Sequence, residues 1–81
     1  MLPRIKKLMP LSDYRLYVVF DDNKKVIYDV KEDMSLPYYS ELKTVQGLFK
    51  NVQLDTSRTC AVWNDYIDLP SDTLYEYGRE V

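Results

Sequence analysis

Two runs of alternating side chains, separated by a short polar break, most constrain what this chain can fold into. Leu16, Val18 and Phe20 interleave with Arg15, Tyr17 and Val19, and Val26, Tyr28 and Val30 interleave with Lys25, Ile27 and Asp29. Successive strand side chains point to opposite faces, so period-two patterning on both sides of Asp21-Asp22-Asn23-Lys24 reads as a β-hairpin spanning Tyr14 to Val30. Asn23 is expected to take the left-handed conformation in the turn, because its short polar side chain tolerates positive φ. Both faces carry apolar residues. One is therefore core and the other partly covered.

The flanking segments extend this sheet. Residues 4–10 read as a first strand through Ile5, Leu8 and Met9. The alternation breaks between Ile5 and Leu8, which predicts a bulge or an early end. Pro10 is expected to terminate the strand, since proline has no N–H to give a central ladder, and Leu11-Ser12-Asp13 supplies a turn. Beyond the polar stretch Lys31-Glu32-Asp33-Met34, the residues Leu36, Tyr39, Leu42, Val45, Leu48, Phe49 and Val52 recur at spacings of three and four, the helical period. Pro37 suits a first helical turn. Thr44 is expected to cap a second piece running to about Lys50. Gly47 inside it costs roughly 0.5–1 kcal/mol relative to alanine, which favours two short pieces over one rod.

Val52 to Asp55 and Thr59 to Trp63 read as strands joined by Thr56-Ser57-Arg58, and Tyr66 to Leu69 follows the turn dipeptide Asn64-Asp65. Ser71 is the expected N-cap of a last helix, Asp72 suits the positive end of its dipole, and Gly78 closes it after Tyr77. The pattern predicts an α+β fold. A small, hairpin-rich antiparallel β-sheet packs against one or two short helices, with a short C-terminal helix, in a single domain covering residues 1–81.

A domain of 81 residues buries only roughly 60–65% of its unfolded surface. Its net stability is expected on the order of 3–5 kcal/mol. Cys60 is the only cysteine and there is no histidine, so neither an internal disulfide nor a structural zinc site is expected. No cofactor or metal is implied. The remaining staple is association with a protein partner or a second copy. A net charge of −2 argues against a nucleic-acid surface built on bulk positive charge. Arg4, Lys6 and Lys7 cluster, but Lys24 and Lys25 are diluted by Asp21 and Asp22. Met1-Leu2-Pro3-Arg4 leads straight into a charged segment, and no apolar run approaches the roughly 20 residues of a membrane span. A cytoplasmic location is expected.

The usual catalytic groups are missing from the composition. Gly47 and Gly78 are the only glycines, which excludes a glycine-rich phosphate loop, and without histidine the commonest general base is absent. Cys60, in Thr59-Cys60-Ala61-Val62, reads as a small buried hydrophobe rather than a nucleophile. Asp21, Asp22 and Asp65 read as turn residues. Asp68, between Ile67 and Leu69, is expected to accept N–H groups at the start of the Ser71 helix, with a surface contact as the other reading. Eight tyrosines stand against two phenylalanines, a bias that suits strands with wet hydroxyls and, for a subset, an interface. Candidate interaction residues are Trp63, Tyr66, Asp68, Tyr38 and Tyr39. Trp63 reads first as a core or half-buried anchor and serves as a hot spot only if exposed. Of the Tyr38-Tyr39 pair, one ring is expected to pack inward and the other to face solvent.

Arg4-Ile5 through Pro10, Asp13-Tyr14-Arg15-Leu16, Val18-Val19-Phe20-Asp21-Asp22 and Tyr28-Asp29-Val30, followed by Leu42, Leu48-Phe49, Val62-Trp63, Asp68-Leu69 and Asp72-Thr73-Leu74-Tyr75, together resemble the DUF2442 family of small bacterial proteins. The resemblance covers almost the whole chain. It implies a small α+β fold, similar to the N-terminal domain of a Nitrosomonas structural-genomics protein, and carries over no catalytic residue. Asn23 and Tyr66 stand where members often have glycine. Some relatives append a helix-turn-helix, which is not expected within the residues up to Val81, and some adjoin a second small protein in a toxin–antitoxin-like arrangement. The expected function is a non-enzymatic interaction module binding a protein partner or itself, through tyrosine and tryptophan surface and strand-edge pairing. The second expectation is a component of a toxin–antitoxin-like or DNA-associated pair that touches nucleic acid only through its partner.

Overall fold

The computed structural model describes residues 2–81. In it the alternating runs form β2 (Arg15–Phe20) and β3 (Lys25–Asp29), preceded by β1 (Ile5–Leu11). Antiparallel pairing sets Leu16 opposite Tyr28 and Val18 opposite Val26. Leu16, Val18, Phe20 and Val26 are fully buried on that face, each contributing about 1.5–3 kcal/mol by leaving water. On the other face Val19 is buried while Tyr17 and Ile27 are half-covered. Asn23 closes the turn at φ 72°, its N–H donating to the Phe20 carbonyl at 2.8 Å.

The register of β1 shifts between Ile5 and Lys7, where the alternation breaks. Pro10 does not end the strand. It sits opposite Leu16, and β1 continues to Leu11. The sheet order explains this: β1 lies at the edge, where a missing N–H costs the ladder nothing. The chain then turns through Asp13 and Tyr14, both left-handed at φ 64° and 59°.

The helical period from Leu36 to Val52 is realised in fragments. A 3-10 turn (Pro37–Tyr39), one α-helical turn, α1 (Glu41–Thr44), and a second 3-10 turn (Phe49–Asn51) replace the two expected helices. Thr44 ends α1 instead of capping the next piece. Gly47, left-handed at φ 80°, interrupts the helix between them. The inward positions still hold at Leu42 and Phe49, both buried in the core.

A second antiparallel sheet follows, of β4 (Gln53–Leu54), β5 (Cys60–Val62) and β6 (Asp68–Pro70) in that order. The expected strand from Tyr66 begins only at Asp68. The Asn64 side chain takes the N–H groups of Tyr66 and Ile67 at 2.8 and 2.9 Å, which holds those residues in a turn. Arg58, left-handed at φ 61°, joins the two sheets. Its carbonyl accepts from Ile5 N–H at 2.8 Å, and its guanidinium grips both Asp21 oxygens at 2.9 Å.

Finally α2 (Ser71–Tyr77) packs on the first sheet, and β7 (Arg79–Glu80) pairs with β3 to give the order β1-β2-β3-β7. Ser71 is the first helical residue and makes no capping bond; Pro70 occupies the cap. The Ser71 hydroxyl is wholly buried and has no partner among the described residues. A buried orphan hydroxyl is destabilising, so Ser71→Ala is expected to raise stability by about 1 kcal/mol, read as a higher urea midpoint at unchanged m-value. Gly78 ends α2 in an extended conformation at φ −67°, not in the left-handed cap expected of glycine. Its role is spatial. A β-carbon there would lie 2.6 Å from the Leu74 carbonyl oxygen and 2.8 Å from Val26.

Candidate interaction surface

The tyrosine pair is set by the 3-10 turn that Pro37 opens. Tyr39 packs partly against the core, and its hydroxyl donates to the Asp68 carbonyl at 2.9 Å. Burial raises its pKa, with Asp33 and Asp68 adding to the shift. Tyr38 stacks edge-on at 5.1 Å and stands 53% exposed. One ring is in and one is out, as the sequence suggests.

Asp68 joins this group through its backbone. Its side chain is exposed and bonds no N–H of α2 among the described residues, so the expected capping role is absent. The reason is its place opposite Val62 at the start of β6, three residues before the first residue of the helix. Trp63 lies beneath the surface. It is 6% exposed, its ring lies 5.8 Å from Phe49, and its indole N–H donates to the Phe49 carbonyl at 3.0 Å. That burial removes Trp63 from any surface a partner reaches. Tyr66 is 75% exposed in the turn between β5 and β6.

Two further apolar side chains of the same stretch as Tyr38 are open to solvent. Leu36 and Val45 are about half exposed, at 52% and 45%. Their helical spacing reads as inward-facing. The break of the helix into short turns rotates them out, and composition alone gives no sign of that. The stretch 36–45 thus shows Leu36, Tyr38 and Val45 to solvent while Tyr39 and Leu42 hold it to the core.

Two polar groups with raised pKa values elsewhere have structural surroundings. The Tyr28 hydroxyl donates to Asp33 at 2.6 Å, and burial with that carboxylate holds its pKa well above the usual value. Burial likewise pushes the Cys60 thiol up, which keeps it protonated and poorly nucleophilic. Among the described residues no group of three or more histidine, cysteine or acidic side chains is placed to hold a metal. No helix among them is long and apolar enough to cross a membrane.

Three carboxylates titrate below their ordinary range. Asp13 is lowered by its bond to Lys31, Asp22 by the Tyr75 hydroxyl, and Asp55 by the Ser57 hydroxyl. A carboxylate whose folded pKa is depressed stabilises the fold above its unfolded value of 3.8, and that contribution is lost as pH falls through the folded value. Urea midpoints are therefore expected to be flat near neutral pH and to drop below about pH 4. Asp55→Asn is expected to flatten part of that drop.

A family model described as "Protein of unknown function (DUF2442)" matches residues 5–80. The chain belongs to the DUF2442 family. No curated protein and no solved structure matches it. In this DUF2442 member Asn23 itself supplies the positive φ of its turn, whereas Tyr66 is not left-handed, so its turn does not call for glycine.

Proposed function

We propose that the chain is a non-enzymatic, cytoplasmic interaction module that binds a protein partner or a second copy of itself. The observation that carries this reading is the stretch 36–45, which shows Leu36, Tyr38 and Val45 to solvent while the Tyr39 hydroxyl ties it to the Asp68 carbonyl. Exposed apolar side chains gain by leaving water on docking, and a tyrosine ring suits a surface that is wet when free and covered when bound. A chain this small, without disulfide or histidine, also has reason to gain stability from a partner.

Side-chain burial is the better-supported mode. Strand-edge pairing is disfavoured because β1 carries Lys6, Lys7 and Pro10 at one edge of the sheet and β7 at the other is only two residues long.

The test is capture from host cells with the tagged chain, run beside Leu36→Asp/Tyr38→Asp, together with light scattering of the purified protein. Capture or dimerisation that the double variant abolishes supports the module. A strict monomer that retains nothing overturns it.

A further inference from the structure

Between the turn at residues 12–14 and the stretch from α1 to Lys50 lies an open groove of about 630 Å³. Its floor is apolar. The Tyr14 and Phe49 rings meet edge-on at 5.4 Å above buried Leu42, and half-exposed Val45 stands on the wall. Two cations line it, Lys43 and Lys50, and both side chains are exposed. Neither has an ion-pair partner among the described residues, whose ion pairs are Lys31–Asp13 and Arg58–Asp21. The one carboxylate on the groove, Asp13, is occupied by Lys31 at 2.8 Å and so neutralises neither lysine. Backbone is also bare here. Gly47 has open space where a β-carbon would stand, and the N–H groups of Gln46 and Gly47 reach no protein acceptor among the described residues.

This combination is selective. In a chain of net charge −2, the groove is a locally positive strip over an apolar floor. The geometry points to this groove as the docking site for an acidic, apolar-anchored peptide segment of a partner protein, with an apolar side chain against Tyr14, Phe49 and Val45 and flanking carboxylates on Lys43 and Lys50. The apolar floor supplies affinity, and the uncommitted ammonium groups supply orientation and choice of partner. Two lysines beside aromatic rings are too few for a phosphate backbone, whose binding needs a longer basic track. The inference rests on reading the chain as a protein-binding module and names which chemistry that module selects.

The experiment is selection of short random peptides on the immobilised intact chain, followed by affinity measurement of the winners and amide-shift mapping. Winners are expected to pair Asp or Glu with Leu, Phe or Trp, to bind more weakly as salt rises, and to shift amides at residues 11–14 and 42–50. Lys43→Glu/Lys50→Glu is expected to weaken them about tenfold, with an unchanged thermal midpoint because both side chains are exposed. Val45→Asp tests the apolar contact separately. Winners without acidic residues, or winners indifferent to the lysine reversals, overturn the groove. So do groove shifts that depend on protein concentration without peptide, which identify a second copy as occupant. If no peptide is enriched while a partner is captured through Leu36 and Tyr38, the groove alone falls. If capture fails as well, the module reading falls with it.

Discussion

Trp63→Ala is expected to leave most of the protein unfolded at room temperature. Removing a buried tryptophan side chain costs about 3–5 kcal/mol, through lost transfer energy and the cavity left behind. The whole stability of a domain this size is of the same order, roughly 3–5 kcal/mol. Trp63 is 6% exposed, lies 5.8 Å from the Phe49 ring and binds the Phe49 carbonyl at 3.0 Å. It therefore joins the β5 end to the fragmented helical stretch. Trp63→Phe keeps most of the packing but strands that carbonyl, a loss of about 1–2 kcal/mol. Circular dichroism melts should show a cooperative but lowered transition for phenylalanine and none for alanine. A folded alanine variant with nearly native Tm would show that this ring does not organise the core.

The second large effect is expected from one methyl group. Gly78→Ala puts a β-carbon 2.6 Å from the Leu74 carbonyl oxygen and 2.8 Å from two Val26 carbons. The φ of −67° suits any residue, so no backbone strain enters. Val26 is fully buried and the Leu74 carbonyl already accepts the Gly78 N–H at 3.0 Å, so neither neighbour yields freely. Overpacking of this kind typically costs 1–3 kcal/mol, and a clash against backbone is expected at the upper end, about 3 kcal/mol. Because the clash is shared with Val26, Val26→Ala in the Gly78→Ala background should recover part of the loss. Strictly additive urea midpoints in that double-mutant cycle would refute the steric account.

The central hairpin is legible in the sequence because its signal is local. The alternation in β2 and β3 names the buried face, and Asn23 names the turn. Pro10 misleads for a non-local reason, since its tolerance depends on β1 lying at the sheet edge, which only the strand order decides. Ser71 is read as a cap, but the chain enters α2 one residue earlier, at Pro70. Gly78 marks the end of α2 correctly, although the constraint is crowding by Val26 from another strand. The surface is harder to read. Tyr38 and Tyr39 divide into exposed and packed rings as proline-led turn geometry suggests, whereas Trp63 is core. Leu36 and Val45 turn outward only because Gly47 and the 3-10 turns break the helical period. The groove beside them joins Tyr14 to Lys43 and Lys50, residues that no local pattern connects.

The pairing of β7 with β3 bears on how this protein emerges during translation. Val26 and Ile27 meet Glu80 and Arg79, and the Val81 N–H reaches the Lys25 carbonyl at 3.0 Å. Lys24 lies 4.0 Å from the Tyr75 ring, while the Tyr75 hydroxyl holds Asp22 at 2.6 Å. Until residues 75–81 clear the ribosome, a nascent hairpin presents one uncapped strand and a turn that lacks its Tyr75 contacts to the crowded cell. Chaperone engagement should therefore concentrate in that interval, and stalling the nascent chain just short of Tyr75 should leave it protease-sensitive.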